Sequence, residues 1–147
     1  MFKRPAKNSG FTLVELLVVI SVLAILASMS MIVLNQKRHT GTARNVRRDL
    51  DVQTFALAFY QYVLDNKGEY PPGLSTDPVY LCRFNVADCS GLYDVNFLYG
   101  KYVTMPLFDP LETSNNSTGY TAQIDANGHI LVVAPLAENG INISALR

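Results

Sequence analysis

From Phe11 to Leu34 the chain runs for about 24 residues with one charge, Glu15, and with neither proline nor glycine. A bilayer's hydrocarbon core is crossed by ~20 apolar residues in a helix, so this stretch reads as a membrane span. A short basic stretch (Lys3, Arg4, Lys7) precedes it and ends in Gly10. A secretory signal peptide has a shorter apolar core and carries its small-residue cleavage site behind that core. Here the small residue stands in front, so a cut at Gly10 would remove the basic leader and keep the apolar helix.

The carboxylate is the second constraint. An ionisable group inside a spanning helix is costly, rare and normally functional, with a partner that can be named. Residues four apart share one helical face, so Glu15 lies about one turn from Phe11. Cleavage after Gly10 would turn the Phe11 nitrogen into a free amine. A second copy would carry the same pair, and Glu15 of one subunit could neutralise the Phe11 amine of the next and set their stagger. The alternative is a Glu15 that lies at the membrane surface and snorkels, with no partner.

The run Gly10-Phe11-Thr12-Leu13-Val14-Glu15, with its basic leader and apolar continuation, resembles the class III signal of type IV pilins and type II secretion pseudopilins. The resemblance implies a peptidase that cuts between Gly10 and Phe11, N-methylation of Phe11, and an assembly role for Glu15. It also implies the partners: copies of the chain in a helical filament, a prepilin peptidase, and an assembly platform with its motor. The expected location is the cytoplasmic membrane, single-pass with the leader inside, and then a surface or periplasmic filament. Positive-inside counting is in tension with this orientation, because Lys37, Arg38, Arg44, Arg47 and Arg48 follow the apolar segment; the class III signal decides for a leader on the cytoplasmic side.

These readings divide the chain into a leader (1–10), a transmembrane and assembly helix (11–35), and a head (36–147) that includes the second half of the helix. The expected fold class is α+β, a long N-terminal helix packed on a small C-terminal antiparallel sheet of about three strands. Losing the leader leaves nine basic against twelve acidic residues, a net charge of −3. With roughly 80 residues outside the helix, the head is small enough to need reinforcement. Cys82 and Cys89 would face an oxidising compartment, where a close pair reads as a disulfide rather than two free thiols or a metal site.

Helical spacing continues beyond the membrane segment. Val46, Leu50, Leu57, Tyr60 and Leu64, widened by Val52, Ala56, Phe59 and Val63, are read as one buried face, with Arg47, Asp51, Thr54, Gln61 and Asp65 opposite. Gly41 is read as a kink or a tolerated glycine, and Gly68 as the C-terminal cap. Tyr70-Pro71-Pro72-Gly73 then forces a turn. A short strand is expected at 79–82 and a second helix around 92–103. Strands are expected at 120–125, 129–134 and 141–146, the first two joined through Asn127-Gly128, a strong hairpin signal.

No catalytic constellation emerges. His39 and His129 are far apart and lack a triad or metal spacing, no phosphate loop is present, and no cofactor or metal is expected. Lys37, Arg38, His39, Arg44, Arg47 and Arg48 form a basic cluster with three readings. They are lipid headgroup contact, a solvated face partly paired with Asp49 and Asp51, and, least favoured, nucleic-acid phosphate binding. Asp109-Pro110, Tyr70-Pro71 and Gly119-Tyr120 resemble the head of major type II secretion pseudopilins, where the loop after Asp-Pro commonly binds calcium. Asp109, Glu112, Asn115, Asn116 and Asp125 could supply hard oxygen ligands. Leu111 and Glu112 depart from that pattern, and the chain has no tryptophan. The expected function is a filament subunit; the alternatives are a type II secretion pseudopilin and a minor pilin that binds DNA or a surface.

Overall fold

A computed structural model describes residues 10–147, apart from the side chains of residues 31–37. The leader residues Lys3, Arg4 and Lys7, and the side chain of Lys37, lie outside the described residues. The chain divides into two compact units, one ending at His39 and the other beginning at Thr40. The first unit is the N-terminal part of helix α1 (Leu13–Asp65). Its window Leu13–Ser30 is long and apolar enough to cross a membrane, and none of it is buried. Ser21, Ser28 and Ser30 donate their hydroxyls to the carbonyls of Leu17, Ile25 and Leu26 at 2.7, 2.7 and 3.0 Å. The hydroxyls are thereby satisfied within the helix, as hydrocarbon surroundings require.

The second unit is α+β. It sets the remainder of α1 against a four-stranded antiparallel sheet in the order β1 (Val79–Cys82), β2 (Ser117–Ile124), β3 (Ile130–Val133), β4 (Ser144–Leu146). The sheet therefore has one strand more than the three expected. Val79 pairs with Ala122, Ala122 in turn with Val132, and Val132 with Ala145, which fixes the register across the sheet. The Asn127-Gly128 hairpin forms as the sequence indicates. Gly128 takes φ +86°, and the Asp125 carboxylate accepts from the amides of Asn127 and His129 at 2.9 and 2.7 Å. Strand β4 starts later than residue 141, because Asn139 and Gly140 turn the chain with φ of +61° and +68°.

The core unites Val52, Phe55, Ala56 and Phe59 of α1 with Leu81, Tyr120, Ala122, Ile130, Val132 and Ile143 of the sheet side. Phe55 meets Tyr120 edge to face at 5.9 Å. This reverses part of the expected helix face. Val46, Leu50, Leu57, Tyr60 and Leu64 are 44–60% exposed, while Asn45, Arg48 and Asp51 are buried with Val52. Two apolar stripes lie on opposite sides of the helix, and hydrophobic spacing alone does not say which one faces the core.

Gly41 is the tolerated glycine of an unbroken α1; a Cβ there would stand 3.2 Å from Asn139 Nδ2 and 3.4 Å from Glu138 Oε1, the ends of flexible side chains. Two other expectations change. The helix ends in a Schellman motif with Gly68 N bonded to Val63 O and Lys67 N to Leu64 O. Lys67 (φ +59°) holds the position expected of Gly68. The second helix shrinks to a 3-10 turn, Asn96–Leu98. Asp94 Oδ1 takes the amide of Asn96 at 2.8 Å, and Tyr99 is already extended.

Candidate functional site

Gly10 and Phe11 precede the helix and are exposed, with open space around Gly10. The bond between them therefore lies in non-helical chain. Thr12 forms the start of α1: its carbonyl accepts from Leu16 N and its Oγ1 from Glu15 N, both at 3.2 Å. Thr12-Leu13-Val14-Glu15 has the spacing of a capping box, in which a hydroxyl covers an orphan amide of the first turn. The Thr-x-x-Glu spacing is the sequence signal for this cap. Glu15 stands in the first turn, where the helix dipole favours a carboxylate.

The charged centre of the head lies elsewhere. Arg48 is fully buried on α1, and its guanidinium meets Asp109 in a fork, Nε to Oδ2 at 2.6 Å and Nη2 to Oδ1 at 2.9 Å. Its Nη1 donates to Asn45 Oδ1 and Glu138 Oε2, both at 2.8 Å. Arg44 adds two bonds to Glu138, at 2.7 and 2.6 Å. The Asn45 side chain brackets the Glu138 backbone, donating to its carbonyl at 2.8 Å and accepting from its amide at 3.0 Å. One turn of α1 thus clamps both the Asp109 loop and the loop between β3 and β4. Arg44 and then Arg48 hold the Glu138 carboxyl down to about 2. The hydrogen bond to Asp109 raises Arg48 further above the ordinary arginine range. Burial raises the Asp51 carboxyl, although Tyr120 donates to it at 2.7 Å.

This clamp corrects the reading of the basic cluster. Arg48 points into the head and pairs with Asp109, not with Asp49 or Asp51, while Arg44, partly exposed, reaches Glu138 at the margin of the head. Arg47 lies 3.8 Å from Asp51 and stacks on Phe108 at 5.3 Å. Arg38 and His39 are exposed. His129 is paired with Asp125 at 3.3 Å and belongs to the hairpin.

The three candidate carboxylates are each engaged by neighbours within the head. Asp109 gives both oxygens to Arg48 and one also to Leu111 N at 2.7 Å, Glu112 caps Ser114 N at 2.8 Å, and Asp125 serves its own turn. Among the described residues no group of three or more His, Cys, Asp or Glu side chains could hold a metal ion. Gly119 takes φ +80°, and a Cβ there would come within 2.9 Å of Asp109 Cβ, so the Gly119-Tyr120 pair serves close packing. Cys82 and Cys89 are joined in a disulfide.

Residues 5–31 match the family described as the prokaryotic N-terminal methylation motif. This is the class III signal of type IV pilins and pseudopilins. No curated protein and no solved structure gives a significant match to the chain. The motif supports a pilin-like or pseudopilin-like protein, fits with the apolar helix a membrane anchor before assembly, and points to a structural protein with filament subunits and a prepilin peptidase as partners in general terms.

Proposed function

We propose that the chain is a prepilin that crosses the cytoplasmic membrane once with its leader inside, loses residues 1–10, is methylated on Phe11, and polymerises into a type IV pilus or related filament. The observation that carries this reading is the match at residues 5–31 over a helix whose window Leu13–Ser30 is exposed throughout and has Glu15 as its single charge. In the membrane that helix is solvated by lipid; in the filament the helices of neighbouring copies replace the lipid, and the heads stay outside. Glu15 of each subunit neutralises the Phe11 amine of its neighbour. Residues 11–35 act as the transmembrane and assembly segment and 36–147 as the head.

Mass spectrometry of protein from native filaments tests this. The expected mature chain begins at Phe11 and carries one extra methyl group. A chain still starting at Met1, or cut after Ser30, would remove the basis of the proposal.

The same signal serves secretion pseudopilins, which build a short piston instead of a surface fibre. A minor pilin that takes up DNA draws less support, because Arg44 and Arg48 are paired with Glu138 and Asp109 of their own head. Salt-sensitive DNA binding by native filaments would restore that reading.

A further inference from the structure

Past the end of β4 the chain carries a charge where the strand's pattern calls for an apolar residue. Successive side chains alternate between the faces of a sheet, and Ile143 and Ala145 pack on the core. Arg147 is next in that row. Its backbone is locked to β3, with Ile130 N bonded to Arg147 O at 2.8 Å and Arg147 N to Ile130 O at 3.1 Å, so its side chain leaves the strand on the side of α1. Arg147 Nη1 donates to the carbonyl of Leu146 at 3.1 Å, and no carboxylate among the described residues lies within ion-pair distance of the guanidinium.

Arg147 borders a cleft of about 140 Å³ between the last turns of α1 and the hairpin that joins β2 to β3. Tyr60 of the helix and Tyr70 of the turn after it bring aromatic surface to the cleft, and both are partly exposed. Tyr70 is held in place, because its hydroxyl donates to the Gly128 carbonyl, and a Cβ at Gly128 would stand 3.1 Å from that hydroxyl. The Tyr60 hydroxyl has no partner among the described residues. His129 sets Nδ1 3.3 Å from Asp125 Oδ2, which leaves Nε2 for the cleft. Asp125 itself is turned to the amides of Asn127 and His129, and no acidic side chain lines the cleft.

We propose that this cleft binds one anionic sugar ring, a hexuronate residue, with its carboxylate on Arg147. Drug-sized sites run to roughly 300–1,000 Å³, so a cleft of about 140 Å³ takes a single ring. The tyrosines offer flat apolar surface to the C–H face of a pyranose. The Tyr60 hydroxyl and His129 Nε2 are hydrogen-bonding groups for its hydroxyls. A guanidinium without a counter-charge selects a carboxylate, since its charge-assisted fork matches that group, and a neutral sugar leaves it bare. Tyr60, Tyr70 and Arg147 are all exposed, so the ring can enter while still part of a polysaccharide. The site goes beyond the filament reading and needs no second copy. The competing account is that an inward-pointing charge only guards the edge strand against pairing, a role that requires no ligand.

The test is ligand binding by the full-length protein in detergent, read by saturation-transfer NMR and calorimetry. Glucuronate is the probe; glucose, which has the ring without the charge, and acetate, which has the charge without the ring, are the controls. Glucuronate should bind, and each control should bind about tenfold more weakly or worse. Arg147→Gln should weaken glucuronate about tenfold, the scale of one charge-assisted hydrogen bond, and bring it down to the level of glucose, whereas Arg147→Lys should keep part of the preference. Tyr60→Ala should weaken glucuronate and leave acetate unchanged. Both side chains are exposed, so these variants keep the fold. No glucuronate binding, or binding that Arg147→Gln leaves unchanged, would overturn the proposal and leave Arg147 as an edge guard. Equal affinity for acetate and glucuronate would overturn the ring site. None of these outcomes touches the filament reading, which is tested by processing and assembly.

Discussion

Arg48 and Asp109 meet as a fully buried fork, two hydrogen bonds of 2.6 and 2.9 Å between α1 and the loop that leads into β2. Sixty-one residues separate them in sequence. Removing one partner strands the other charge in the core, and breaking such a pair costs about 3–5 kcal/mol. Arg48→Met is expected to lower the head's stability on that scale by thermal or denaturant melting. Arg48→Met/Asp109→Leu should recover a large part of the loss, because two apolar groups leave no uncompensated charge. A double variant as unstable as the single one would mean that the loop needs the fork itself.

Acid should weaken the head through Glu138. Its carboxyl ionises at about 2 in the fold, against an ordinary value of 4.5. The unfolded chain therefore takes up the proton first as pH falls. The stabilisation is complete above about pH 5 and is lost as pH drops through 4.5 toward 2. Asp65, lowered beside Lys101, acts in the same direction. Asp51 acts in the opposite direction: its folded carboxyl is raised by burial, so protonation relieves a cost. Melting temperature followed from pH 6 to pH 2 should fall. Glu138→Gln should flatten the fall, and Asp51→Asn should steepen it.

The disulfide closes a short loop, Cys82 to Cys89. Chain-entropy arguments give such a loop about 2–3 kcal/mol. Cys82→Ser/Cys89→Ser is expected to fold and to melt earlier by that margin. Thiol labelling of unreduced, denatured native protein should find no reactive sulfhydryl; two reactive thiols would contradict the bond.

Gly119 makes a sharper structural test than Gly41. It combines a φ of +80° with a 2.9 Å approach to Asp109 Cβ. Gly119→Ala should therefore cost more than the ~1 kcal/mol of a tolerated glycine. Gly41→Ala meets the flexible ends of Asn139 and Glu138, and should cost less.

Local signals made much of the architecture legible in the sequence. The apolar run, the class III signal and the Asn127-Gly128 turn each act within a few residues, and each reads directly. The core face of α1 did not, because the helix carries apolar stripes on both sides, and choosing between them takes the sheet that covers one. Arg48 and Asp51 look like solvated residues until Asp109, Glu138 and Tyr120 arrive from 61 to 90 positions away. The second helix stops at Leu98, where Tyr99 turns extended and Gly100 takes φ +85°. Strand β1 forms at 79–82 as expected, but its outer pairing, with Cys82 N bonded to Tyr93 O at 2.8 Å, is one no local pattern announces.

Glu15→Leu, scored as filament yield against processed, membrane-inserted subunit in the same cells, tests the central claim most directly. The change makes the apolar helix more hydrophobic and leaves Gly10 and Phe11 untouched, so insertion and processing should be unharmed. Assembly should fail or fall severely, since the neighbour's Phe11 amine would be buried without a counter-charge, at a cost of several kcal/mol. Glu15→Asp should retain part of the yield and Glu15→Gln less. Normal filaments from Glu15→Leu would contradict the account and leave the stagger to apolar packing alone.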